Sequence, residues 1–99
     1  NQQDTLFVLS REDTRYVLSS FLGTGQESIK TTVAYTPEGI HAYKSWVCVW
    51  GRNQIQVFDN NQKEHMLLTD YHEIHNVHLF ASSHMVIETG DDLVLYNLE

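Results

Sequence analysis

The chain has little of several features that mark particular protein classes. It holds one cysteine, one proline and six lysine or arginine residues among 99. The single Cys48 excludes an internal disulfide, and no Asn-x-Ser/Thr acceptor occurs, so we expect a reducing, intracellular setting, cytoplasmic or nuclear. No run of about 18 apolar residues is present, which excludes a transmembrane helix and predicts no membrane insertion.

The charge balance argues against a nucleic-acid partner. The formal net charge is −7, and the few basic residues are scattered along the chain. Binding to nucleic acid or to anionic lipid needs clustered lysine and arginine, so neither is expected. A basic protein partner is compatible with this charge.

Motifs that carry catalysis or hold a cofactor are missing as well. There is no Gly-x-Ser-x-Gly, and Gly23-Thr24-Gly25 lacks the lysine and the following helix of a phosphate loop, so it is a turn. Cys48 lies between Val47 and Val49, without the cationic neighbour that activates a thiol. We therefore predict no cofactor and no enzymatic activity.

Short apolar runs separated by polar turns make up most of the chain. The hydrophobic share is 41%, with eleven aromatic residues to fill a core. About ten segments read as strands, for example 27–35, in which apolar and polar positions alternate. This pattern predicts an all-β fold.

Three segments repeat at a spacing of 37 to 38 residues. Residues 40–45 (IHAYKS) return as 77–82 (VHLFAS), and residues 26–32 (QESIKTT) return as 63–69 (KEHMLLT). Residues 55–59 (IQVFD) return 38 positions on as 93–97 (LVLYN). A fixed period of this length is typical of a repeat architecture.

The repeat divides residues 1–99, a single β-repeat segment, into units of up to four strands. The units are approximately 1–37, without its first strand, 38–75, complete, and 76–99, without its last strand. The strand endings Val57-Phe58-Asp59 and Leu95-Tyr96-Asn97 resemble those of β-propeller blades of the WD-repeat-like type. The resemblance implies a fragment of about two and a half four-stranded blades. A small β-sandwich or barrel is the alternative fold.

Five of the six histidines fall within residues 65–84. His72, His75 and His78 are the candidates for a metal site, because neutral imidazole is a common zinc ligand. In a strand, however, His75 faces away from the other two, so the three side chains diverge. The prediction is therefore that no metal is bound.

Other polar residues match across the repeat. His41 matches His78, Ser45 matches Ser82, and Asp59 matches Asn97. In WD-type propellers a blade histidine anchors a hydrogen-bond network with a serine or threonine and an aspartate. The resemblance thus makes candidates for a structural network of His41, Ser45, Asp59, His78 and Ser82.

Taken together, these patterns favour a non-enzymatic scaffold for protein–protein interaction, part of a larger propeller or multi-subunit assembly. Its partners would be other proteins or the remaining blades, bound through loops such as 36–39 or 70–76. Two alternatives stay open: a free-standing β-domain that binds a small ligand or carbohydrate through exposed Trp46 or Trp50, and a histidine-based metal-binding module.

Overall fold

The computed structural model describes residues 5–59, 61–81 and 83–99. All regular elements in these ranges are β-strands, so the all-β prediction is confirmed. The strands are β1 (Thr5–Glu12), β2 (Arg15–Leu22), β3 (Glu27–Val33), β4 (Gly39–Tyr43), β5 (Trp46–Trp50), β6 (Ile55–Asp59), β7 (Glu64–Leu68), β8 (Ile74–Phe80), β9 (His84–Thr89) and β10 (Leu93–Asn97). In the described part of the chain, no helix is long and apolar enough to cross a membrane.

The strands form three antiparallel sheets. The first sheet has the order β1-β2-β3, the second β4-β5-β6-β7 and the third β8-β9-β10. Each strand pairs with the strand before or after it in the chain, as tight hairpin turns permit. Over the described residues, none of the sheets closes into a barrel.

The chain divides into two compact units, residues 1–36 and residues 37–99. The first unit contains the first sheet, in which Leu18 and Val33 are buried. Its β1–β2 hairpin turns at Asp13, which has a φ of 57°. Lys30 Nζ lies 2.9 Å from Glu12 Oε2, and because both side chains are exposed, this ion pair adds little stability.

The second unit contains the second and third sheets, which share one hydrophobic core. The second sheet contributes Cys48, Trp50, Ile55 and Val57, and the third contributes Val77, Leu79, Met85 and Ile87. Ile74 and Leu98 complete the buried cluster. Residues two apart in a strand share a face, so the alternation in β5, β6, β8 and β9 directs these side chains into one layer.

Strand pairing in the sheets follows the sequence repeat. His41 lies opposite Cys48, and at the same place in the third sheet His78 lies opposite Val86. The repeat also holds between the first two sheets. The pairing of β2 with β3 is shifted between Ser20 and Phe21, and that of β6 with β7 between Val57 and Phe58, 37 positions later. Equivalent residues therefore occupy equivalent places in different sheets.

Candidate protein-docking surface

The contact between the second and third sheets shows how one repeat unit packs on the next. We call Cys48, Trp50, Ile55 and Val57 the covered face of the second sheet. Val77, Leu79, Met85 and Ile87 are the packing face of the third sheet. All eight side chains are buried in the common core. Burying an aliphatic or aromatic side chain contributes roughly 1.5–3 kcal/mol, so this contact is a main source of the second unit's stability.

Three polar contacts join the same two sheets. The Leu79 backbone N–H donates to His41 Nδ1 at 2.9 Å. His65 Nε2 lies 2.7 Å from the Leu98 carbonyl oxygen, and the Ile74 N–H donates to the Arg52 carbonyl at 2.8 Å. These bonds satisfy backbone N–H and C=O groups that the sheet contact shields from water and would otherwise leave without a hydrogen-bond partner.

His41 is held in its neutral form by this arrangement. Since Nδ1 accepts the Leu79 N–H, the ring proton must sit on Nε2. Desolvation by burial lowers the His41 pKa, and the neighbouring His78 lowers it further. The two rings meet edge to face with centroids 5.3 Å apart. His41 therefore works as a hydrogen-bond acceptor for the edge of β8.

The opposite side of the third sheet carries apolar side chains that are exposed to solvent. Leu93 is 72% exposed, Leu95 65% and Phe80 40%, with Val86 half-buried beside them. We call Phe80, Val86, Leu93 and Leu95 the open face. In the strand pairing Leu95 lies opposite Val86, and Leu93 lies two residues from Leu95 on the same face of β10, so these three side chains are neighbours. Such patches on soluble proteins usually mark interaction sites.

Three residues of the open face are the repeat equivalents of residues of the covered face. Leu93 corresponds to Ile55 and Leu95 to Val57, each 38 positions later. Ile55 and Val57 are fully buried, whereas Leu93 and Leu95 are the two most exposed large hydrophobic residues. Val86 likewise corresponds to Cys48. The same kind of surface is thus covered in one sheet and open in the next.

The edge of the third sheet is also open in the described residues. β10 pairs with β9 alone, while its equivalent β6 pairs with both β5 and β7. An edge strand presents unpaired backbone N–H and C=O groups, which form a template for another strand. The open face and this edge adjoin along β10.

The tryptophans do not form the exposed aromatic patch that carbohydrate binding would use. Trp50 lies in the core with 6% exposure, and Trp46 is half-buried, packed against that core. Burial raises the pKa of the Cys48 thiol to about 12, so Cys48 is an unreactive core residue. A polar cavity of about 310 Å³ in the second unit is lined instead by Glu38, Arg52, Glu73, Ile74 and His75.

The histidine candidates for a metal site do not converge. His72 precedes β8, whereas His75 and His78 lie on β8 with exposed side chains. Within the described residues, no group of three or more His, Cys, Asp or Glu side chains is placed to hold a metal ion. His78 contacts the His41 ring instead.

Of the predicted structural network, the structure brings together His41 and His78. Asp59 lies elsewhere, at the end of β6, where its Oδ1 accepts the N–H groups of Asn61 and Lys63 at 2.8 and 3.0 Å. Asn97 makes the equivalent turn, accepting the Glu99 N–H at 2.9 Å. Ser45 is exposed in the turn between β4 and β5, and Ser82 lies outside the described residues.

Sequence reasoning placed its candidate binding residues on loops and did not single out the open face. The signal was present in the repeat, because Leu93 and Leu95 match Ile55 and Val57, but a sequence does not say which of two matching strands is covered. Comparison of the chain with protein-family models, with curated proteins and with solved structures finds no match, so the function rests on the geometry above.

Proposed function

We propose that the chain is a non-enzymatic scaffold that assembles with other proteins, or with further blades, through the open face of its third sheet. The observation that carries this proposal is the exposure of Leu93 and Leu95 at positions whose repeat equivalents are fully buried. Leaving two leucines in water gives up roughly 1.5–3 kcal/mol each, which a covering partner would recover.

The sheets of the second unit support reading the chain as propeller-like blades. The four-stranded second sheet and the three-stranded third sheet run in sequence order and share a core. Successive four-stranded blades that pack face to face are the plan of a β-propeller. In this interpretation the chain supplies about two and a half blades of a larger assembly, acting inside the cell.

Size-exclusion chromatography with light scattering on the 99-residue chain tests the proposal. At neutral pH we expect species larger than the 11.5 kDa monomer, because an open apolar face and a free edge favour association. A Leu93→Lys/Leu95→Lys double variant should shift the population towards monomer, since charge on the open face opposes its burial.

A matched control separates this surface from exposed leucine in general. Leu6 is 62% exposed and lies in the first unit, so Leu6→Lys should leave the association unchanged. A wild-type chain that stays monomeric at all concentrations would contradict the proposed function.

A further inference from the structure

The contact between the second and third sheets is a template for what the open face binds. On the covered face, His41 accepts a hydrogen bond from the first strand of the next sheet. An apolar cluster beside it packs against the packing face of that sheet. On the open face, His78 stands at the place of His41, and Leu93, Leu95 and Val86 stand at the places of Ile55, Val57 and Cys48. The polar anchor and three members of the apolar cluster are thus repeated, while Glu88 stands at the place of Trp50.

The role of His41 indicates what His78 can do. β8 is the edge strand of the third sheet on the side opposite β10. His41 accepts one backbone N–H of β8, that of Leu79. His78 is exposed on β8 and contacts the His41 ring. A ring nitrogen of His78 is therefore available to the first strand of a sheet laid on the open face.

We propose that the open face binds a further antiparallel sheet of this same repeat, whose first strand donates a backbone N–H to His78. The bound sheet presents an aliphatic layer like the packing face of the third sheet. This inference rests on the proposed function and names the partner's chemistry. The first sheet of a second copy is a poorer occupant, because it consists of β1, β2 and β3 and has no counterpart of β8 in the described residues.

The third sheet of a second copy is also a poorer occupant. Its packing face is already buried against the second sheet of its own chain. Covering the open face with it would require that core to open.

An extended chain tests the proposal directly. A second copy of residues 62–99 joined after Glu99 keeps the repeat spacing, because Asn97 corresponds to Asp59. The added residues supply the strand equivalent to β7 and then a further sheet equivalent to β8–β10. With Leu95→Cys in both chains, labelling by a thiol reagent reports whether the open face is covered, since Cys48 is buried.

We expect labelling at position 95 to be slower in the extended chain, on the order of tenfold or more, because it then requires local opening. Adding Leu93→Lys or His78→Ala to the extended chain should restore faster labelling. His78→Asn, which keeps an acceptor, should do so less, and His75→Ala serves as the control because His75 is an exposed histidine on the same strand.

The outcomes separate this inference from the proposed function. Equally fast labelling of both chains at a dilution where the 99-residue chain is monomeric, while that chain associates through Leu93 and Leu95 at higher concentration, would overturn the assigned occupant and leave the scaffold role standing. If two copies form a stable pair that the added residues do not displace, the open face binds a second copy. That result would also overturn the assigned occupant. If the two chains label equally fast and the 99-residue chain stays monomeric at all concentrations, both proposals are refuted.

Discussion

Truncating one residue of the covered face and its equivalent on the open face should have very different effects on stability. Ile55 and Leu93 occupy the same place in successive repeats, opposite Trp50 and Glu88 respectively. Ile55 has 0% exposure and Leu93 has 72%. We predict that Ile55→Ala strongly lowers the free energy of unfolding and that Leu93→Ala hardly changes it.

The magnitudes follow from burial. Removing a buried isoleucine to alanine costs about 2–5 kcal/mol, from lost transfer free energy and the cavity left behind. Exposed positions without special contacts usually stay within about 0.5 kcal/mol. For a chain of this size, about 1 kcal/mol shifts Tm by roughly 4–8 °C, so the Tm values of the two variants should differ by at least about 6 °C.

Urea unfolding followed by tryptophan fluorescence measures the difference, because Trp50 lies in the same core as Ile55. If the wild-type chain associates, the comparison should be made in a Leu95→Lys background, because charge on the open face opposes association and leaves position 93 free for the substitution. Ile55→Val, expected to cost about 0.5–1.5 kcal/mol, provides a milder variant in case the alanine chain does not fold. Equal losses for Ile55→Ala and Leu93→Ala would refute the assignment of covered and open faces.

Three further predictions concern the second unit. Gly39→Ala should destabilise the fold by about 1–3 kcal/mol, because an added Cβ would overlap the ring of Trp50 at Cζ2; an unchanged Tm would contradict that close approach. The Cys48 thiol, whose pKa burial raises to about 12, should react with Ellman's reagent only as fast as the protein unfolds, and rapid reaction of the native chain would show that the core is open there. His41→Asn should reduce the loss of stability on acidification. In the folded state the His41 pKa lies below its ordinary 6.5, so the loss of folding stability is absent above about pH 6.5, grows as the pH falls below that value and levels off below the folded pKa. Thermal melts at pH 7.5 and 5.5 measure this loss, with the exposed-loop variant His72→Asn as the control. Equal pH dependence of the wild-type and His41→Asn chains would refute the prediction.

Much of the local structure could be predicted from residues near one another in the chain. Alternating apolar positions and polar turns predict about ten strands, and the structure has ten in its described part. The parity of Cys48 and Trp50 predicts that they share a face, and both lie in the core between the second and third sheets. These results depend on period and turn chemistry, which short stretches of sequence carry.

The histidines show where such reasoning ends. His41 and His78 match across the repeat, and the sequence treats them alike. In the structure His41 accepts the N–H of Leu79, whereas His78 is exposed. The hydrogen bond joins residues 38 positions apart, in strands of different sheets, so no local pattern distinguishes the two.

The sequence alone thus determined the strand content, the two-residue alternation and the repeat, because each depends on neighbouring residues and on backbone geometry. The tertiary structure decided which copy of a repeated surface is buried. Ile55 and Leu93 have similar side chains in equivalent strands, yet Ile55 is covered by the third sheet and Leu93 meets solvent. Burial is a property of what packs against a residue, and the covering sheet is contributed by residues far along the chain.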